Sequence, residues 1–222
     1  MSKPIIPPPT IKETAPYTRM SGEARRQQLL EVAICLFSQK GFSGTRTKEI
    51  AAAAQVNEAI LFRHFASKEE LYAAMLDCKA GASQMEQLLG ELSEHAERRD
   101  DEGVFCRFAT HILAHHRQDH DFLRLMLYAA LEAHDLLSLF IEKHVLPLHI
   151  FLRDYIITRQ GEGAFIDIDP DAAVRAFAGM PNHHALVTSL LALPIPNIPD
   201  ELAIKTFTDI FLRGMRREAS RE

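Results

Sequence analysis

The sequence feature that most constrains this chain is the stretch of 22 residues from Thr47 to Lys68, which predicts two short helices joined by a tight turn. Asn57 is a good N-cap for the second helix, which should run to about Phe65. Leu61 and Phe65 are four residues apart, so both would pack on the first helix. The face that receives them is small and apolar and allows the close crossing of a helix-turn-helix: Ile50, Ala51 and Ala54.

The outward surface of this helix pair is polar and partly cationic. Ser67 and Glu70 form a capping box that begins a third helix directly after the pair, so the second helix is held at both ends. A short helix that is held in this way and presents such a surface fits the major groove of DNA. The outward residues are Glu58, Ala59, Arg63 and His64, together with Thr47 and Lys48 at the start of the first helix.

The run GFSGTRTKEIAAAAQVNEAILFRHFASKEELY resembles the DNA-binding module of the TetR (tetracycline-repressor-like) family of bacterial regulators. The likeness is strong over about residues 25–72, because many residues match at fixed spacing. It implies an operator-binding homodimer with a small-molecule effector. The matching residues are Gly41, Thr45, Ile50, Ala51, Ala54, Val56, Leu61, His64, Phe65, Lys68 and Leu71.

Three positions depart from the family's pattern. Gln55 stands where the family usually has Gly, so a left-handed backbone there would cost on the order of 1 kcal/mol. Phe62 replaces a Tyr whose hydroxyl usually reaches a phosphate, and Asn57 replaces a Ser or Thr cap. We expect Arg63 to face base edges and Lys68 a phosphate. The full set of predicted DNA-binding residues is Thr47, Lys48, Asn57, Ala59, Ile60, Phe62, Arg63, His64 and Lys68.

Charge is distributed unevenly along the chain. The net charge of −5 alone argues against general affinity for nucleic acids, but residues 1–70 hold 10 Lys and Arg against 7 Asp and Glu. The remainder holds 15 against 23. The basic excess therefore coincides with the helix-turn-helix, where phosphates would lie.

Cysteine usage and hydropathy predict a cytoplasmic protein. The three cysteines, Cys35, Cys78 and Cys106, are scattered and odd in number, which favours reduced thiols over a disulfide framework. No apolar run approaches the roughly 18 residues that a membrane span needs.

Helical periodicity continues through the rest of the chain, and no segment alternates as a strand would. The predicted fold class is all-α, with an N-terminal three-helix DNA-binding domain, a larger helical ligand-binding and dimerisation domain, and about nine helices in total. Residues 1–19 hold five prolines and are interpreted as a disordered arm, residues 20–68 as the DNA-binding domain and 69–222 as the second domain. The helices expected outside the pair span 23–40, 67–92, 102–118, 121–133, 135–160 with a kink at Pro147, 171–192 and 200–217.

Inward-facing side chains between about residues 105 and 155 mix aromatic residues with His and Tyr. Such a mixture lines mostly apolar ligand cavities, although the same residues also fit a plain core. The family resemblance implies a cavity in this region. The candidate ligand-binding residues are Phe105, Phe108, His111, Ile112, His115, Met126, Phe151 and Tyr155.

The histidines of this region also permit a metal site. His111, His115 and His116 fall on adjacent turns, and two imidazoles four residues apart can share a metal ion. No Glu lies between the first two as in zinc hydrolases, and no third ligand is evident. We therefore expect pocket-lining or structural histidines and no metal or cofactor; a helical metalloenzyme stays open as an alternative.

The last two helices are the expected dimer elements. Two helices from each subunit would form a four-helix interface about a two-fold axis. The interface residues predicted from their apolar stripes are Val174, Phe177, Ile204, Phe207 and Phe211.

These patterns favour a homodimeric, non-enzymatic transcription regulator of bacterial type. The preferred interpretation is a repressor that a largely apolar small molecule releases from its operator. The molecule would favour a state of the dimer in which the two recognition helices no longer fit successive major grooves. The other alternative is a helix-turn-helix activator or architectural protein without a small ligand.

Overall fold

A computed structural model of the chain describes residues 20–80, 82–118, 120–132, 135–191, 193, 196 and 198–217. Across these residues the fold contains no strand, and the helices form ten continuous segments. The prediction of an all-α fold is confirmed. The predicted Pro-rich arm, residues 1–19, lies outside the described residues.

The first four helices contain the predicted helix-turn-helix. Ser21 caps the first of them, where its Oγ accepts the N–H of Ala24 at 3.1 Å. Gly41 ends it as the C-cap, with a φ of 70° that glycine adopts without strain. The helices are α1 (Gly22–Lys40), α2 (Thr47–Ala53), α3 (Glu58–His64) and α4 (Lys68–Ala80).

Seven further α-helices and two π-helical segments make up the remainder. The π-helical segments continue their neighbouring helices without a break, one joining α8 to α9 and the other extending α10. In chain order the elements are α5 (Ala82–Glu97), α6 (Asp101–Gln118), α7 (His120–Leu131), α8 (Asp135–Phe140), the first π-segment (Ile141–Val145), α9 (Leu146–Gly161), α10 (Pro170–Ala185), the second π-segment (Leu186–Leu191) and α11 (Asp200–Met215).

Two features differ in detail from the sequence prediction. Over the single helix expected at 67–92 the described residues form α4 and α5, with residue 81 outside the described residues, and the helices number ten against the predicted nine or so. The distortion expected at Pro147 takes the form of the first π-segment, and Pro147 itself lies in the first turn of α9, where its missing N–H costs little.

The packing separates into two apolar cores. The first joins α1 to α4 and includes three residues from beyond them, Leu125, Ala129 and Phe140. The second joins α5, α6, α9, α10 and α11. Because α7 and α8 contribute to the first core, the DNA-binding unit is packed on the larger helical unit. No helix that the structure describes is long and apolar enough to cross a membrane.

Candidate nucleic-acid interface and ligand cavity

The helix-turn-helix has the geometry that its sequence predicts. Ile50, Ala54 and Leu61 are fully buried between α1, α2 and α3, so α3 is fixed by its apolar face. Asn57 caps α3, because its Oδ1 accepts the N–H of Ile60 at 2.9 Å. Gln55 adopts a left-handed φ of 57° in the turn, and the structure therefore contains the strained backbone expected where the family usually has Gly.

The surface of α3 is open to solvent along one side. Ala59, Phe62 and Arg63 are exposed, and Ile60 and His64 are half-buried. At the start of α2, Lys48 is exposed, whereas the Thr47 hydroxyl donates a hydrogen bond of 2.7 Å to the Glu58 carboxylate. The bond ties the start of α2 to the start of α3 and sets the pose in which α3 presents its outer side.

Arg46, which the sequence reasoning passed over, adds an exposed cation directly before α2. Its backbone N–H donates to the Glu49 carboxylate at 3.1 Å, so its position is fixed by the cap of the helix. The signal that could have found it was its place two residues before Lys48 in the most basic part of the chain.

Lys68 differs from its predicted role. Its ammonium group donates a hydrogen bond of 2.5 Å to the carbonyl of Phe42 and lies 4.1 Å from the centroid of the Phe42 ring. Burial lowers the pKa of Lys68 below its usual value. The ammonium therefore fastens α4 to the turn after α1 rather than extending toward a phosphate.

The capping box at the start of α4 forms in a modified way. The Ser67 hydroxyl accepts the N–H of Glu70 at 3.1 Å, as predicted. The Glu70 carboxylate reaches one residue further back and accepts the N–H of Ala66 at 2.6 Å. The turn between α3 and α4 is thus held from both sides.

A cavity of about 300 Å³ lies among α5 to α10 and the first π-segment. Its size is at the lower end of the range of about 300–1,000 Å³ that is usual for small-molecule sites. Most of its wall is apolar, with Met85, Leu123, Phe140 and Leu152 as examples. The polar residues of the wall are His111, His115, His116, His144, His149 and Asn182.

Five of the predicted ligand-binding residues line this cavity, namely Phe108, His111, Ile112, His115 and Met126. The other three lie elsewhere, for reasons of packing. Phe105 is fully buried in the second core, 4.9 Å between ring centroids from Phe177. The Tyr155 hydroxyl donates to the buried Asp101 carboxylate at 2.6 Å. Phe151 is half-buried against the second core.

Four polar residues of the cavity wall were missed as ligand candidates. Three come from segments distant in sequence from α6: His144 from the first π-segment, His149 from α9 and Asn182 from α10. The fourth, His116, was interpreted with its neighbours as a pocket-lining or structural histidine but was not among the candidate ligand-binding residues. Among the residues that the structure describes, no group of three His, Cys, Asp or Glu side chains could hold a metal ion.

The environment of α6 keeps its buried imidazoles neutral. Burial, with a smaller contribution from His115, lowers the pKa of His111 to about 4. Burial also lowers the pKa of His116, and the hydrogen bond with Asn182 only partly opposes this. A neutral imidazole has one donor and one acceptor nitrogen, so this wall offers hydrogen bonds without charge.

Comparison with known proteins agrees with this geometry. Residues 29–75, which run from α1 through the helix-turn-helix into α4, match the family model described as bacterial regulatory proteins, tetR family. This part of the chain is therefore similar to the TetR family.

Curated relatives named as HTH-type transcriptional regulators match over part of the chain. The regulator AcrR of Shigella flexneri is 41% identical over 56 residues, which are 25% of this chain and 26% of AcrR. The repressor SCO4008 of Streptomyces coelicolor is 28% identical over 110 residues, which are 50% of this chain and 52% of SCO4008. The matched region thus spans about a quarter to a half of these relatives' length.

Solved structures extend the likeness of fold to most of the chain. A protein of Mesorhizobium loti assigned to the TetR-family transcriptional regulators has a TM-score of 0.62 at 20% identity, covering 90% of this chain and 100% of the other. AibR, whose crystal structure contains isovaleryl coenzyme A and operator DNA, has a TM-score of 0.62 at 21% identity, covering 84% and 97%. At these identities the likeness concerns the fold alone.

Hydrogen bonds connect elements of the cavity wall with the helices of the first core, and two of them involve a carboxylate that holds the turn after α1 or a histidine of the wall. The first runs from the end of α7, where the Glu132 carboxylate accepts the N–H groups of Phe42 at 3.0 Å and Ser43 at 3.3 Å. A side chain at Gly41 would crowd this contact, since an added Cβ would lie 2.6 Å from Glu132 Oε1. The second link joins His144 to Asp77 of α4 at 3.0 Å.

The predicted dimer residues mostly face inward. Val174, Phe177 and Phe211 are buried in the second core, and Ile204 packs partly against it. Phe207 is half-buried, with its ring 5.9 Å from that of His184. The most apolar side of each helix is buried in the core of its own subunit, because an amphipathic helix of a folded chain packs its apolar side against that core. The exposed side of α11 instead carries Leu202 and Ile210, and that of α10 carries Ala172, Ala176 and Gly179.

Proposed function

We propose that the protein is a dimeric, sequence-specific DNA-binding repressor that a small, mainly apolar molecule releases from its operator. One observation carries the proposal. Both α7 and the first π-segment line the cavity and, through Glu132 and His144, make hydrogen bonds to the turn after α1 and to α4, which pack in the first core. A molecule that moves the wall therefore acts on α1 and α4 directly.

The exposed side of α3 would enter the major groove. Ala59, Ile60 and Arg63 would face base edges, because they lie on the open side of a helix fixed by its other face. Thr47, Lys48, Asn57, Phe62 and His64 lie at its margins and would contact the backbone, which positions the helix without reading sequence. We retain residues 20–68 as the DNA-binding domain and 69–222 as the ligand-binding and dimerisation domain. Lys68 would support this surface from behind.

The dimer would form through the outer sides of α10 and α11. Small residues on α10 permit close approach of a second copy, and Leu202 and Ile210 are 55% and 58% exposed in the single chain. Two helices from each subunit give the four-helix arrangement that a two-fold axis requires. The axis would set the two α3 helices near the spacing of about 34–36 Å between successive major grooves.

Release would follow from a shift between two populations. With the cavity empty, Glu132 and Asp77 hold the DNA-binding units in one pose. A ligand that fits better when α7 or the π-segment moves would favour a second pose, in which the distance between the two α3 helices is altered. By reciprocity, bound DNA would weaken the binding of the ligand. AibR, with both operator DNA and an acyl coenzyme A in its crystal, supports the presence of both kinds of site on this fold. Such a regulator is not an enzyme and would act in the cytoplasm, where the operator lies.

The test begins with operator selection from random DNA by the full-length protein. Arg63→Ala should weaken binding to the selected operator by about 1–3 kcal/mol per half-site and relax preference at one base pair. Fluorescence anisotropy against operator and scrambled DNA over a salt series measures both effects. The matched control is Arg98→Ala, which removes an exposed arginine after α5. Equal losses on both DNAs would reduce Arg63 to a phosphate contact, and failure to select any sequence would refute specific binding.

A further inference from the structure

The cavity wall combines several polar side chains with no Asp, Glu, Lys or Arg among its described residues. This combination limits the chemical class of molecule that the cavity can bind. Six polar residues line it, five of them histidines. The inference drawn from this wall rests on the proposed function, in which the cavity is the effector site.

Hydrogen-bond partners fix which ring nitrogen carries the proton in three of these histidines. Nε2 of His144 lies 3.0 Å from the Asp77 carboxylate, and Nε2 of His149 lies 2.7 Å from that of Asp171. Because an ionised carboxylate only accepts, Nε2 is the donor in both rings. In the neutral ring Nδ1 is then left as an acceptor.

His116 has the same tautomer for a different reason. Its Nε2 lies 3.1 Å from Asn182 Oδ1, and the Asn182 amide nitrogen donates to the carbonyl of Ala178 at 2.8 Å. The amide orientation thus makes Oδ1 the acceptor and His116 Nε2 the donor. His116 is 7% exposed, and its Nδ1 is buried without a hydrogen-bond partner in the described structure.

An acceptor that is buried and unpaired is costly, and a donor that reaches it recovers that cost. His116 lines the cavity, so the group of a bound molecule that would satisfy this nitrogen is a hydrogen-bond donor. A carboxylate would instead lose its hydration next to a lone pair, with no cation on the wall to replace the water. A cation would meet no carboxylate on the wall, and the low pKa of His111 shows that burial there disfavours positive charge.

We propose that the cavity binds an uncharged, mainly apolar molecule through a hydroxyl group, and that His116 Nδ1 accepts the hydrogen bond from that hydroxyl. The apolar body would pack on residues such as Phe108, Ile112 and Leu148, which line the same space. The molecule's size is limited by a volume of about 300 Å³, so two or three linked rings, or a chain of similar bulk, would fill it.

Isothermal titration of the full-length dimer at pH 7.5 with three matched probes tests the ligand class. The probes are 4-phenylphenol, which donates; 4-methoxybiphenyl, which has the oxygen but no donor; and biphenyl-4-carboxylate, which is anionic. We expect 4-phenylphenol to bind at least tenfold more tightly than either of the others. Equal binding of the phenol and its methyl ether, or preference for the carboxylate, would overturn the proposal even if operator binding is intact.

Two substitutions of His116 separate its two nitrogens. The amide nitrogen of His116→Gln can keep the hydrogen bond to Asn182, but no acceptor remains at the position of Nδ1. The affinity of 4-phenylphenol relative to 4-methoxybiphenyl should therefore fall below threefold, while the affinity for 4-methoxybiphenyl stays unchanged. The amide oxygen of His116→Asn can take the place of Nδ1, so the advantage should persist. His183→Gln, at the exposed neighbour of Asn182, is the control and should alter neither value.

The outcomes distinguish this inference from the proposed function. A tenfold advantage that survives in His116→Gln would assign the acceptor to another residue and overturn the role of His116. If none of the probes binds, the inference fails together with the ligand half of the proposed function, whereas operator selection tests the DNA half separately. The comparison of probes on the unsubstituted protein remains decisive even if a variant fails to fold.

Discussion

At the scale of single residues, Lys68 shows how a cation in a DNA-binding unit can serve the fold. Its ammonium contacts the Phe42 carbonyl and ring and lies 6.0 Å from the Phe37 ring. Such contacts are worth more when partly desolvated, and burial lowers the pKa of Lys68 accordingly. Lys48, by contrast, is exposed at the start of α2.

Lys68→Ala should therefore lower the free energy of unfolding by about 1–3 kcal/mol, the value of a charge-assisted hydrogen bond with some cation–π energy. Lys48→Ala should leave stability within about 0.5 kcal/mol but reduce the salt slope of DNA binding by about one per subunit. Urea unfolding and anisotropy over a salt series measure the two effects. The reverse pattern would return Lys68 to a phosphate contact.

Gln55 has a strained backbone conformation in the turn between α2 and α3. Its φ of 57° is costly for any side chain and free of strain for glycine. Gln55→Gly should raise the free energy of unfolding by about 1 kcal/mol. Ala52→Gly, three residues earlier on the exposed side of α2, should lower it by about 0.5–1 kcal/mol, because it loosens a helix. Thermal unfolding of both variants checks the sign, and a loss of stability in Gln55→Gly would show that the turn is not strained.

At the scale of elements, Asp200 joins three helices at the start of α11. Its carboxylate accepts from Nη2 of Arg117 of α6 at 2.7 Å and lies 3.3 Å from His184 Nε2 of α10. The hydrogen bond from Arg117 is the main cause that holds the pKa of Asp200 below its usual value of 3.8, against the opposing effect of burial. The negative charge also suits the N-terminal turn of a helix.

A carboxyl group with a lowered pKa stabilises the fold at neutral pH, and this contribution is lost as the pH falls through the lowered value. Asp200→Asn should reduce the free energy of unfolding at pH 7 by about 1–3 kcal/mol, and the difference should shrink below pH 3.8, the usual Asp value. Urea unfolding from pH 7 to pH 3 measures it. Asp154→Asn, at an exposed site on α9, should change stability by less than about 0.5 kcal/mol. A gap that stays constant down to pH 3 would contradict the argument.

At the scale of the whole molecule, the outer sides of α10 and α11 lie outside the two cores and form the proposed dimer interface. Ile210→Glu would place a charge in the proposed apolar interface without disturbing the subunit's core, since Ile210 is 58% exposed. An uncompensated buried charge costs about 3–5 kcal/mol, so the variant should be monomeric by light scattering at concentrations where the unsubstituted protein is a dimer. Ala114→Glu adds the same charge to an exposed site on α6 and should stay dimeric. Persistent dimers of Ile210→Glu would move the interface elsewhere.

Within the DNA-binding unit, local pattern and structure agree because the relevant interactions are close in sequence. The cap at Asn57 and the left-handed turn at Gln55 depend on neighbours within about one helical turn, and Leu61 packs between α1, α2 and α3, which follow one another along the chain. The same holds for the end of α1 at Gly41. Helix boundaries elsewhere follow for the same reason.

The amino-acid sequence by itself determined the all-helical fold and the helix-turn-helix, because backbone capping and apolar periodicity are local properties. Only the tertiary structure decided which side of each amphipathic helix faces the core. In the folded chain Phe105, Phe177 and Phe211 are buried, whereas Ile210 is exposed. Lys68 donates a hydrogen bond to the carbonyl of Phe42. His144, His149 and Asn182 line the same cavity as His116. These groupings depend on how helices distant in sequence cross, since several apolar faces compete for the same core.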